Sequence, residues 1–173
     1  SGKAAMDVLS GITTKIFIYD DNQKINNKKN SVIWKHYEDW EWDKLHSLVI
    51  SPGIKIEGQN QHKCVLLAKK FNVPLINEIQ LLIESKPLAK IIGITGTNGK
   101  STLVSLLSHI FNSNKINNKI GGNFGTPACL LEDPGVNGFI ILELSSFQLL
   151  SISKLKLEAA TIINISPDHI DYH

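Results

Sequence analysis

Between Ile91 and Phe111 the chain reads IIGITGTNGKSTLVSLLSHIF: an apolar run, a glycine turn ending in Gly-Lys-Ser-Thr, and an amphipathic run. A strand that enters a helix through such a turn leaves the first N–H groups of the helix unpaired. Those groups and the helix dipole together attract an anion. Gly96 and Gly99 let the backbone turn and approach that anion closely. Lys100 then falls on the β/γ-phosphates of ATP, and Ser101 or Thr102 reaches the metal. The plainer reading is a glycine turn with a solvated lysine and a Ser/Thr cap. The strand before and the helix after favour the phosphate loop. One detail resists: the usual spacing asks for a glycine at 94, where Ile94 stands, with Gly93 too early and Gly96 too late.

Apolar runs alternate with helical patterns along the rest of the chain, which predicts an α/β fold with a parallel sheet covered on both faces. Strands are expected at Lys15–Asp21, Leu45–Ile54, Val73–Asn77, near Lys119, and in GFIILEL and AATIINIS. Helices are expected at the N-terminus, in NQHKCVLLAKKFN with Val65, Leu66 and Ala68 on one face, in EIQLLIES, and after the glycine turn. ESKPLAK is the expected domain join, giving domains 1–86 and 87–173. NQKINNKKN reads as a polar surface loop.

A net charge of +2 over 173 residues argues against nucleic acid or a membrane surface as the main partner. All eighteen basic residues are lysine. No apolar run is long enough to span a bilayer. Cys64 and Cys129 stand far apart without C-x-x-C spacing, as expected of two reduced, buried thiols in a cytoplasmic protein.

Three further segments fall at the carboxyl ends of expected strands, where open parallel sheets bind ligands. Glu143 closes the apolar run of GFIILEL: it either faces the metal of a metal–ATP complex or is an acid exposed at the sheet rim. Ser145, Ser146 and Gln148 crowd the same end. Asn164, Asp168, His169 and Asp171 follow AATIINI, with His169 a metal or phosphate ligand or a solvated loop residue. GGNFGTP, Gly121–Pro127, is a tight turn, or one that offers Asn123 to a substrate or phosphate. His36, His46, His62 and His109 read as structural or surface residues.

TGTNGKST, GGNFGTP, LELSSFQL and NISPDHID, in that order, resemble the Mur ligases of bacterial cell-wall synthesis. TGTNGK is shared with folylpolyglutamate synthases; GGNxGxP and LELSSFQL resemble more particularly the members that add D-glutamate, and SPGI at Ser51–Ile54 matches a substrate-side motif of theirs. The resemblance implies an incomplete Rossmann-like N-terminal domain followed by the first part of a P-loop-type ATP-binding domain. It implies ATP and Mg2+ as cofactors and UDP-N-acetylmuramoyl-L-alanine and D-glutamate as substrates of a cytoplasmic monomer. By motif, Gly96, Thr97, Asn98, Gly99, Lys100, Ser101 and Thr102 form the ATP loop. Ser101, Glu143 and His169 serve the metals, Lys100 and His169 are catalytic, and Ser51, Asn123 and His169 touch the substrate. Relative to the family pattern, the opening strand with its Gly-x-Gly turn, the modified metal-bridging lysine and the C-terminal domain are not in this sequence. The expectation is therefore that residues 1–173 alone do not ligate. Another Mur-type or folate-type ligase, or a non-catalytic nucleotide-binding module, are the competing readings; a plain NTPase is weakened because the chain has no arginine.

Overall fold

The computed structural model describes residues 1–12, 15–22, 29–152 and 154–169. Asp171 and His173 lie outside them. The chain divides into two compact units, Ser1–Ile76 and Asn77–His173.

The first unit opens with helix α1 (Gly2–Leu9) and holds two parallel strand pairs. β1 (Ile16–Ile18) pairs with β2 (Val32–Trp34), and β3 (Leu48–Val49) with β4 (Leu75–Ile76). The β3–β4 pairing runs on through Ile50 N–H, which donates to the Ile76 carbonyl at 2.9 Å. β2 is absent from the sequence-based expectation, because VIW is too short to show a period. Tyr37, Trp42, Leu48, Ile50, Val65 and Ala68 form the core of this unit. The Trp42 indole N–H donates to the Tyr37 carbonyl at 2.8 Å, so the ring is buried with its one donor satisfied.

Helix α2 (Lys63–Lys70) starts at His62, whose side chain accepts from Cys64 N–H. It buries Cys64, Val65 and Ala68, whereas Leu66 is half exposed, correcting the predicted face. At 100° per residue Leu66 stands 200° from Ala68, on the far side of the helix. Both cysteines are free, with Cys64 buried and Cys129 partly so. Burial pushes each thiol up to about 11.

The second unit contains α3 (Glu78–Glu84), β5 (Lys90–Thr95), α4 (Lys100–Ser113), β6 (Asn118–Gly122), β7 (Phe139–Glu143), α5 (Ser146–Leu149) and β8 (Ala159–Ile162). Its four strands are all parallel, in the order β6-β7-β5-β8. Successive side chains alternate across the sheet. Ile140, Leu142 and Leu144 meet Ile79 and Leu82 of α3 on one face; Ile141 and Ile94 meet Val104 of α4 on the other. Ile94 is 1 % exposed and still in strand β5. The position where a phosphate loop usually has its first glycine is here a core residue, and the turn starts at Gly96.

The division at 76/77 falls before α3, ahead of the expected join at 86/87. Asn77 accounts for the placement of that helix. Its Oδ1 accepts from Ile79 and Gln80 N–H, capping α3, while its Nδ2 donates to Gln148 O and Ser151 Oγ. Next to it, Glu78 is 2 % exposed and accepts from Gln148 Nε2 at 2.9 Å and Cys129 N–H at 3.3 Å.

Burial raises the Glu78 carboxyl above its ordinary 4.5. A raised carboxyl is neutral in the fold where the unfolded chain would ionise it. Its stability contribution is complete below about 4.5 and is lost as pH rises through the folded value. Relative to Glu78→Gln, the wild type therefore loses stability over the pH range that begins above about 4.5, read as diverging urea midpoints of the two proteins. Parallel midpoints across that window would contradict the assignment.

Candidate functional site

β5 delivers Thr95 to the carboxyl end of the sheet, and residues 96–99 turn into α4. Gly96 has φ +145° and Gly99, the residue before the helix, φ +85°, regions that L side chains rarely adopt. A Cβ on Gly96 would also stand 3.2 Å from both the backbone N and O of Asn164. The loop is thus pressed against the chain leaving β8, and only glycine fits the contact.

Lys100 curls back over the loop: Nζ donates to Gly96 O at 2.7 Å and Thr97 O at 2.9 Å. Ser101, in the first turn of α4, donates from Oγ to Glu143 Oε2 at 2.6 Å. Asn123 donates from Nδ2 to Glu143 Oε1 at 2.8 Å and from its backbone N–H to Glu143 O at 2.9 Å. The turn that presents Asn123 follows Gly122, at φ +100°, where a Cβ would strike the Glu143 carbonyl. The register explains the meeting, since Glu143 lies opposite Ile94 on β5 and Gly122 on β6.

Glu143 is 2 % exposed, so it is not a rim acid. Its partners are a hydroxyl and a carboxamide, and among the described residues no lysine or histidine lies within ion-pair distance of it. Burying a carboxylate with only neutral donors is costly. A hydroxyl and a carboxylate side by side are also hard oxygen donors of the kind that bind Mg2+. The residues present therefore fit a divalent cation, although no group of three or more His, Cys, Asp or Glu converges on one point among the described residues.

A cleft of about 360 Å3 opens above these residues, lined by Gly96, Thr97, Lys100, Asn123, Ser145, Ser146, Phe147, Asn164, Asp168 and His169 among others. His169 sits at φ +51° with its ring 4.8 Å from that of Phe147, and its Nε2 lies 3.7 Å from Asp168 Oδ2. Among the residues read from sequence, the structure thus gathers Gly96, Thr97, Lys100, Asn123 and His169 at one cleft, with Glu143 tied to both Asn123 and Ser101. Asn98 and Gly99 form the exposed tip of the loop. Thr102 is exposed and, of the two hydroxyls, Ser101 is the one on Glu143. Ser51 belongs to the first unit, exposed after β3, where Ile54 N–H closes the SPGI turn on its carbonyl at 3.0 Å.

Gln148 corrects the expectation that it crowds the ligand end. It is 2 % exposed, and its Oε1 accepts from Ser145 N–H while Ser145 Oγ accepts from Gln148 N–H. This is a reciprocal capping box on α5, and Ser-x-x-Gln spacing carries that signal in the sequence. The residue whose part the sequence reading missed is Asn164, which accepts from two loop amides at once.

Glu143→Gln keeps the shape while removing the buried charge. Its thermal unfolding midpoint is expected at or above that of the wild type, whereas Glu143→Ala, which strands Ser101 and Asn123, unfolds earlier. A Gln variant markedly less stable than wild type would show that the charge is compensated in the resting protein.

Comparison with known proteins places residues 94–173 in the Mur ligase middle domain. A UDP-N-acetylmuramoylalanine–D-glutamate ligase of Rickettsia bellii is 36% identical over 178 residues, covering 99% of this chain and 38% of that protein. The ligase of the same name from Wolbachia pipientis is 37% identical over 180 residues, covering 100% of this chain and 34% of that protein. A solved UDP-N-acetylmuramate:L-alanyl-gamma-D-glutamyl-meso-diaminopimelate ligase from Neisseria meningitides is similar at TM-score 0.46 and 22% identity, over 75% of this chain and 44% of that one. The chain thus spans little more than a third of the length of these curated relatives. With the middle domain matched from Ile94 onward and ligase relatives aligned along nearly all of it, the chain belongs to the Mur ligase family.

Proposed function

We propose that this chain supplies part of an ATP-dependent amide ligase that joins D-glutamate to UDP-N-acetylmuramoyl-L-alanine. The observation that carries the proposal is the buried Glu143 carboxylate, held by Ser101 and Asn123 beside a glycine loop with its lysine. The names of the aligned relatives support the choice of substrates. In this reading the second unit is the P-loop-type nucleotide domain. The first unit is the Rossmann-like one for the UDP part, with Ser51 toward the diphosphate. A Cβ on Gly2, at the N-terminus of α1, would lie 3.3 Å from Ser51 Oγ, so a helix start stands beside that hydroxyl. The protein works as a cytoplasmic monomer; among the described residues no helix is long and apolar enough to cross a membrane.

The chemistry follows from the reactivity of a carboxylate, which is a poor acyl donor at neutral pH. An oxygen of the alanyl carboxylate attacks the γ-phosphorus of ATP, the bond to the β-phosphate oxygen breaks, and ADP leaves. The D-glutamate amine then attacks the acyl carbon, phosphate departs with the C–O electron pair, and the amine proton passes to solvent or a base. Lys100 leaves its loop carbonyls to hold the γ-phosphate, and the α4 N-terminus neutralises charge on the phosphates. Asn123 orients the muramyl substrate, and His169 faces its carboxylate from the far wall of the cleft. Mg2+ would be held by Ser101 and Glu143, with His169 serving a second ion, and would supply charge neutralisation at the transferring phosphoryl group.

Calorimetric titration with Mg-ATP tests the nucleotide half. The wild-type chain is expected to bind, and Lys100→Ala to bind roughly tenfold or more weakly, as for loss of a charge-assisted contact. Equal affinity of the two proteins would remove the loop from the reading. For the ligase half, phosphate release by the protein in which this chain occurs should require both substrates together; release with ATP alone would replace the ligase by an ATPase.

A further inference from the structure

The nucleotide site as read above assigns nothing to Asn164, yet this residue makes more contacts to the loop than any phosphate-facing residue does. Its Oδ1 accepts from Thr97 N–H and from Asn98 N–H, both at 3.0 Å. Its Nδ2 donates to Asn98 O at 2.9 Å, and its own carbonyl accepts from Thr97 N–H at 3.3 Å. Its backbone N and O occupy the space that a Cβ on Gly96 would fill. Two residues on, Ser166 N–H donates to Thr97 Oγ1, which donates in turn to Ser166 O at 3.2 Å.

This carboxamide does to the loop what a short strand would do. Two consecutive amides, those of Thr97 and Asn98, are turned toward β8 and satisfied there, so they are not donors to a phosphate. With those peptides fixed, the carbonyls of Gly96 and Thr97 face the other way, and it is these two that hold the Lys100 ammonium. The donors left for an anion are the N–H groups at the start of α4 and Lys100 itself. The glycine at 96 has a reason here as well: it makes room for Asn164.

We propose that Asn164 is a positioning residue of the nucleotide site, clamping residues 97–98 so that the lysine cradle and the α4 amides face the phosphates. The proposal rests on the nucleotide reading of that site. It acts through Lys100, so the two residues must be coupled.

The test uses the wild type, Asn164→Ala, Asn164→Asp, Lys100→Ala and the Asn164→Ala/Lys100→Ala double variant. In Asn164→Ala the Asn98 amide, followed by NMR hydrogen exchange, is expected to lose its protection, and the Thr97 amide to keep only its bond to the Asn164 carbonyl, while the global unfolding midpoint stays. Asn164→Asp, which keeps the double acceptor, retains that protection. Calorimetry with Mg-ATP should show Asn164→Ala weakened by about tenfold, the scale of two ordinary hydrogen bonds. The double variant should be no weaker than Lys100→Ala alone, a non-additivity that general destabilisation does not produce. If the wild type binds and Asn164→Ala binds equally well, or the two losses simply add, the clamp is wrong and the nucleotide reading stands. If the wild type does not bind Mg-ATP, the nucleotide reading fails and the role given to Asn164 fails with it.

Discussion

Everything at the cleft hangs on a carboxylate withdrawn from water at the end of a parallel strand. Parallel pairing with β5 and β6 sets Glu143 level with Ile94 and Gly122, one residue past the last apolar side chain of β7. Strand alternation then decides its face. Ile140 and Leu142 go to the α3 side, so Glu143 shares the α4 side with Ile141, directly beneath the first turn of that helix. Two neutral donors, Ser101 Oγ and Asn123 Nδ2, keep it hydrogen-bonded, and neither cancels its charge. A fold optimised only for stability would place an isoleucine there. The retained charge is the feature that a cation would complete.

Gly122 in GGNFGTP illustrates how such a constraint propagates. For Asn123 to donate both side chain and backbone to Glu143, the chain leaving β6 must lie flat against the end of β7. No Cβ fits between Gly122 and the Glu143 carbonyl, and the positive φ there makes any other residue strained as well. The segment is therefore a tight turn that delivers an asparagine to Glu143.

Much of this is legible in the sequence because strong periodic signals coincide with motif residues. The run before Gly96, the helix after it, and the lone acid closing FIILE put Lys100 at a helix start and Glu143 at a strand end, while the choice of Ser101 over Thr102 and of a buried acid over a rim acid comes from the fold. The failures are equally physical. β2 is three residues long, too short for a period to register. Leu66 looks like core because it is leucine, but α2 turns it away from Ala68. Glu78 and Gln148 are polar residues that bury each other, and no local pattern reveals a partner seventy positions away. The same pairing, together with Asn77, draws α3 into the second unit and shifts the division of the chain. Asn164 is visible as a polar residue at a strand end, yet its effect on residues 97–98 depends on β8 lying beside β5.

That adjacency also resolves the misplaced glycine. In a loop that wraps a phosphate with its own first amides, the opening glycine must come where the strand ends, and an isoleucine at 94 would be an error. Here β5 continues through Ile94 to Thr95, so Ile94 can be spent on the core under α4. The turn that remains before the helix is short, and a short turn cannot satisfy all its own amides. A neighbouring strand end must take the surplus, and Asn164 takes two of them with a single oxygen. The displaced glycine, the buried isoleucine and the asparagine on β8's exit are one arrangement. Replacing any one of them by the residue expected from the ordinary loop would leave the other two without a purpose.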